Sequence, residues 1–151
     1  MKSLKDKVAL ITGGNSGIGK AISIRAALEG AKVVIGARDE TTGNETVNYI
    51  LSKGGEASFI KADMSDSKQI DALFDKTIKK YGEVDLACNN AATGGPMLPL
   101  HEFDDSDWNR MMSVNLTAIY LCMKHEIRHM LAKGGGSIVN MSSANGLIGT
   151  A

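Results

Sequence analysis

Residues 8–21, Val-Ala-Leu-Ile-Thr-Gly-Gly-Asn-Ser-Gly-Ile-Gly-Lys-Ala, constrain the fold more than any other part of the chain. Val8 to Ile11 are four consecutive apolar residues and read as a buried strand. A glycine-rich turn follows, and then a helix with Ile18, Ala21, Ile22 and Ala26 expected on one face. A strand that turns sharply into a helix leaves the first backbone N–H groups of that helix without intrahelical partners. Those donors and the positive end of the helix dipole favour an anion in the turn, pyrophosphate being the usual one. The glycines divide the work: Gly13 can take the turn, Gly17 can let the backbone come close to phosphate, and Gly19 can let helix and strand pack tightly. Gly14 to Lys20 also fits Gly-x-x-x-x-Gly-Lys, but Ala21 follows and has no hydroxyl for Mg²⁺, which argues against a P-loop. A glycine-rich turn with no ligand is the plain alternative.

Strand-like and helix-like patterns alternate along the rest of the chain with short connections, as in a parallel sheet covered on both faces. Strands are expected at 32–36, 57–61, 84–88 and 137–141. A polar helix over about 39–53 places Val47, Ile50 and Leu51 on one side. The cleanest period belongs to Ile70, Leu73, Phe74, Thr77, Ile78 and Tyr81. One long helix is expected from about Ser106 to Lys133, ended by Gly134-Gly135-Gly136. No repeat or interdomain linker interrupts the chain.

The 151 residues make about one domain, and 17 basic against 17 acidic side chains give no electrostatic pull toward nucleic acid or an anionic membrane. Cys88 and Cys122 sit in apolar contexts without metal-ligand spacing, so no metal site is expected and both read as free thiols of a reducing compartment. The start, Met-Lys-Ser-Leu-Lys-Asp-Lys, lacks the apolar run of a signal peptide, and no segment approaches transmembrane length. Asn44, Asn115 and Asn140 match a glycosylation pattern that has no meaning without a secretory signal. A cytoplasmic protein is the expectation.

The spacing of the first turn is Thr-Gly-x-x-x-Gly-x-Gly, not the commoner Gly-x-Gly-x-x-Gly. In this it resembles the short-chain dehydrogenase/reductases, and their core-length branch in particular; the extended branch would carry glycine at Ser16. The resemblance implies an α/β fold, a Rossmann-type doubly wound parallel sheet, binding a nicotinamide cofactor. It assigns Gly13, Asn15, Ser16, Gly17, Ile18 and Gly19 to that cofactor. After the second strand, Ala37 stands where an NAD enzyme of the family carries aspartate, and Arg38 follows. An arginine here favours a 2′-phosphate, so NADP is expected. Asp39 keeps NAD possible, and Ser16 stands where the family often has a second basic residue.

Asp63 and Met64 resemble the family positions that hold adenine, while Asp63 or Ser65 would equally suit a helix N-cap. Asn89-Asn90-Ala91-Ala92 is similar to the family's Asn-Asn-Ala-Gly, with Ala92 in place of glycine, and Asn90 and Ala91 are expected at the cofactor ribose. Asn115 interrupts the apolar stripe Trp108, Met111, Met112, Ile119, Cys122, Met123 and Ile127. A buried amide left without partners costs about 1–3 kcal/mol, so a hydrogen-bonding role is implied. It can tie backbone together, or, as the resemblance through Met112-Ser113-Val114-Asn115 implies, support a catalytic proton relay. Ser143, closing the fifth strand, matches the family's catalytic serine, which donates to the substrate oxygen.

The family's Tyr-x-x-x-Lys, in which lysine lowers the tyrosine pKa, lies beyond the serine and is not found here. Tyr49 to Lys53 and Tyr120 to Lys124 mimic it but precede the fifth strand, so neither is expected beside Ser143. The expectation is a fold truncated after its fifth strand, residues 1–151 forming an NAD(P)-binding domain incomplete at its C-terminal end. The parent protein is then expected to interconvert a small-molecule alcohol and ketone as a homo-oligomer, and the chain alone to be inactive. A nucleotide-binding or regulatory module without catalysis is the other reading.

Overall fold

A computed structural model describes residues 3–144 of the protein. The strands are β1 (Val8–Thr12), β2 (Lys32–Ala37), β3 (Glu56–Lys61), β4 (Leu86–Asn89) and β5 (Ser137–Asn140). They form one sheet in the order β3-β2-β1-β4-β5, with every neighbouring pair parallel. Between them run α1 (Gly17–Leu28), α2 (Glu40–Ser52), α3 (Ser67–Tyr81), α4 (Asp105–Met112) and α5 (Ala118–Lys133). This is the parallel α/β arrangement expected from the alternation, and the Rossmann-like sheet that the resemblance implies.

The central strand is buried along its whole length because each face has its own cover. Successive side chains of a strand point to opposite faces. Leu10 joins Ile70, Leu73 and Phe74 of α3 and Ala118 and Cys122 of α5 in one core. Ala9 and Ile11 join Ala26 and Ala27 of α1 and Ile50 of α2 in the other. At the amino ends of the strands, Asp85 ties three segments together. Its Oδ2 accepts the Val8 N–H at 2.8 Å, and its Oδ1 accepts from the ammonium groups of Lys7 (3.2 Å) and Lys133.

Several expected details differ. The buried face of α1 is Gly19, Ser23, Ala26 and Ala27, while Ile18 is 63% exposed and Ala21 is exposed. Small residues are chosen there because the helix lies close against the first turn. On α2 the inward residues are Gly43, Thr46 and Ile50, and Leu51 is exposed. Strand β4 begins at Leu86 rather than Val84, since Asp85 is spent on the clamp, and β5 ends at Asn140.

The expected single helix over 106–133 is interrupted by a π-helical turn, Ser113–Thr117, between α4 and α5. One extra residue per turn rotates everything beyond it. The buried line therefore runs Val114, Ala118, Cys122, Glu126, Met130, and Ile127 is exposed; Trp108, ahead of the turn on α4, is exposed as well. Both cysteines are free and buried. Among the described residues no helix is long and apolar enough to cross a membrane, and no cluster of three or more His, Cys, Asp or Glu is placed to hold a metal.

Candidate functional site

The strand order reverses direction between β1 and β4, so the loops leaving their carboxyl ends diverge and open a crevice, the usual ligand position in such sheets. A cleft of about 390 Å³ lies there. The first turn contributes Gly13, Asn15, Ser16, Gly17 and Ile18. The ends of β2 and β3 contribute Arg38 and Asp39, and then Asp63 and Met64. The segment after β4 contributes Asn90, Ala91, Ala92 and Thr93, with Val114 below them. Ten of the residues singled out in the sequence are thus brought to one cleft. Gly19 backs its wall instead.

Local geometry explains the glycines. Gly13 (φ +65°) and Gly17 (φ +50°) occupy the left-handed region, where a Cβ is strained. A Cβ on Gly17 would meet no protein atom within 4 Å, so the space before it is open to a ligand. A Cβ on Gly19 would overlap the Gly13 carbonyl oxygen and the Asn90 side-chain nitrogen. Ser16, the N-cap of α1, makes no side-chain capping bond, so the leading N–H groups of the helix are left for an anion. Asn15 Nδ2 donates to Thr42 Oγ1 at 2.8 Å and holds the turn against α2.

Thr12 joins the two loops. Its Oγ1 accepts the N–H groups of Asn90 and Ala91, both at 3.1 Å, while Asn90 Nδ2 donates to the Thr12 and Gly13 carbonyls at 3.1 and 3.3 Å. No role for Thr12 was foreseen from the sequence. The available signal was one hydroxyl closing an otherwise apolar strand.

Acidic groups along the wall formed by the ends of β2 and β3 are partly committed. Asp39 caps α2, its Oδ1 accepting the Thr42 N–H at 3.0 Å, and that bond, its main cause, lowers the carboxyl pKa. Asp63 Oδ1 accepts both the N–H and the hydroxyl of Ser65 (2.8 and 2.7 Å). Burial pushes the Asp63 carboxyl up, but the Ser65 bonds and the Arg38 guanidinium outweigh it and keep the acid ionised. The N-cap of α3 is Asp66, not Asp63 or Ser65. Among the described residues Arg38 enters no ion pair, which leaves its guanidinium available at the cleft.

Asn115 lies within the π-helical turn and is half-buried rather than central to the core. Its Oδ1 accepts the Thr93 N–H and its Nδ2 donates to the Thr93 carbonyl, each at 2.9 Å. The amide thus ties the cleft loop to the helix, one of the two roles open to it. Ser143 lies three residues beyond β5, is exposed, and does not line the cleft. Tyr49 and Tyr120 are exposed on α2 and α5, away from the cleft lining. A group missed in the sequence is Glu126: it is wholly buried beneath the strand ends and accepts from Asn89 Nδ2 at 3.1 Å.

A family model described as short chain dehydrogenase matches residues 7–151. A 3beta-hydroxysteroid dehydrogenase of Mediterraneibacter gnavus is 39% identical over 149 residues, which cover 99% of this chain and 54% of that protein. A cis-4-hydroxycyclohexanecarboxylate dehydrogenase of Sinomonas cyclohexanicum is 39% identical over 151 residues, 99% of this chain and 60% of that one. The chain thus spans little more than half the length of these relatives. A solved metagenomic short-chain oxidoreductase in complex with NADP superposes with a TM-score of 0.95 at 36% identity, covering 99% of this chain and 67% of that chain.

Proposed function

From the premise that this chain belongs to the short-chain dehydrogenase family, we propose that the whole protein is an NAD(P)-dependent oxidoreductase interconverting an alcohol and a ketone. The observation that carries the reading is the cleft at the strand-order reversal, with an uncapped helix N-terminus at one end and Arg38 at the other. The residues fit a dinucleotide. The open space before Gly17 admits a pyrophosphate against the first N–H groups of α1. Arg38 suits a 2′-phosphate, and Asp39, already capping α2, is poorly placed to take two ribose hydroxyls as well. NADP is therefore the proposed coenzyme. When bound, it supplies or accepts the hydride.

The chain's own groups do the rest. Thr12 and Asn90 fix the two cleft loops to one another, and Asp63 and Met64 wall the adenine end. Asn115 holds the Thr93 backbone and, on this reading, supports the proton relay. Ser143 donates a hydrogen bond to the substrate oxygen and orients it. The exposed apolar residues Leu116 of the π-helical turn and Tyr120, Ile127 and Leu131 of α5 support a homo-oligomer, and the cytoplasm is the proposed compartment.

The test uses the product of the whole gene: NADPH oxidation with a panel of cyclic and linear ketones, with the alcohol product identified. Stoichiometric turnover supports the reading. Tight NADPH binding without turnover on any ketone or alcohol would favour a nucleotide-binding module, and absence of dinucleotide binding would overturn both.

A further inference from the structure

Glu126 is a carboxyl with 0% exposure, set among Cys88, Asn89 and Cys122 rather than in solvent. A buried carboxylate needs a cation or several donors to be tolerated. Among the described residues it has no ion pair and one donor, Asn89 Nδ2 at 3.1 Å. The same Asn89 nitrogen donates at 2.9 Å to Asn140 Oδ1 on the neighbouring strand. Two buried atoms of this pair have no partner, Glu126 Oε1 and Asn89 Oδ1. One proton resolves both shortages, because it makes Oε1 a donor and gives Asn89 Oδ1 something to accept.

We propose that Glu126 is a neutral, proton-carrying positioning residue that orients the Asn89 amide and through it locks the end of β4 to the end of β5. The connection bears on the cleft at both ends. Asn89 is followed directly by Asn90 and Ala91, which line it, and the Met141 N–H donates to the Asn89 carbonyl at 2.9 Å just before Ser142 and Ser143. An ionised Glu126 would offer Asn89 Oδ1 no donor and would leave a charge beneath both strand ends. Burial raises the carboxyl pKa to about 7, against a lesser opposing effect of the Asn89 bond. Among the described residues, the titratable groups facing it are thiols, Cys88 on β4 and Cys122 on α5. Burial and then Glu126 itself push both upward, so they stay neutral and compensate nothing.

The role in catalysis rests on the oxidoreductase reading; the protonation and the clamp do not. Two variants of the whole protein, Glu126→Gln and Glu126→Leu, compared with wild type, separate these. Glutamine copies the neutral acid, donating and accepting, but never ionises. The folding constant of wild type relative to Glu126→Gln should fall on the order of 100-fold as pH rises from 4.5 to about 7, and then level off. Infrared difference spectra should show the carbonyl stretch of a neutral carboxylic acid at pH 5, absent in Glu126→Gln. Glu126→Leu should lower kcat on the order of 10-fold or more through misplaced strand ends, with Glu126→Gln restoring it. A flat folding ratio, a missing acid band, or a glutamine variant as damaged as the leucine one would each overturn the proposal. The folding and infrared arms need no turnover and stand even if the protein reduces no ketone. Should Glu126→Leu fail to fold, the glutamine comparison alone decides.

Discussion

Replacing Gly19 by alanine adds one methyl group and should damage both stability and dinucleotide binding. The new Cβ would stand 2.8 Å from the Gly13 carbonyl carbon and overlap the Gly13 oxygen and Asn90 Nδ2. Two of those three atoms are backbone of the turn, so no rotamer change relieves the contact. Overpacking of this kind costs about 1–3 kcal/mol. Moving Asn90 aside also weakens its bonds to the Thr12 and Gly13 carbonyls, each worth about 0.5–1.5 kcal/mol. Alanine returns about 1 kcal/mol through its higher helix propensity. The net loss is about 1–5 kcal/mol.

Gly17→Ala is the internal control, since its Cβ touches no protein atom and suffers only from the positive φ, about 1–2 kcal/mol. Urea unfolding gives the stabilities, and enhancement of NADPH fluorescence gives affinities. Gly19→Ala should lose more stability than Gly17→Ala, whereas Gly17→Ala should lose binding out of proportion to stability, its methyl entering the open cleft. A Gly19→Ala protein as stable as wild type would refute the close-packing argument.

Two further outcomes follow from charge. Arg38→Ala should weaken NADP⁺ by about 1–3 kcal/mol, the scale of a charge-assisted contact, and leave NAD⁺ nearly unchanged; equal losses in parallel titrations would show that Arg38 does not select. Asp85 tests the clamp at the other end of the sheet. Burial pushes its carboxyl up, but donors from Lys133, the Val8 N–H and Lys7 prevail and lower its pKa. A depressed folded-state pKa means stability that is present above the ordinary carboxylate range and lost as pH falls through the folded value. Asp85→Asn should therefore cost about 1–3 kcal/mol at pH 7, a difference that vanishes in acid; a pH-independent difference in urea midpoints would count against the ion pairs.

The strand–turn–helix at the start, the alternation behind a parallel sheet and ten of the residues that line the cleft were legible in the amino-acid sequence, whereas Thr93 and Val114 were not. Each depends on short-range order: an apolar run, a glycine spacing, a polar residue at the carboxyl end of a strand. Parallel strands bring such ends together whatever lies between them, so Gly13, Arg38, Asp63 and Asn90 meet without further information. Tertiary structure alone decided the rest. Ile18 looked like core and is exposed, because Gly19 on the adjacent position packs against Gly13 and against Asn90, the latter over seventy residues away in sequence. The π-helical turn at 113–117 shifted the buried line from Ile119 and Ile127 to Ala118 and Glu126, which no fixed helical period reports. A glutamate on a helix reads as solvent-facing until Asn89, thirty-seven residues earlier, supplies the partner that lets it be buried. Periodicity describes how a segment relates to itself; burial is set by what the other segments bring to it.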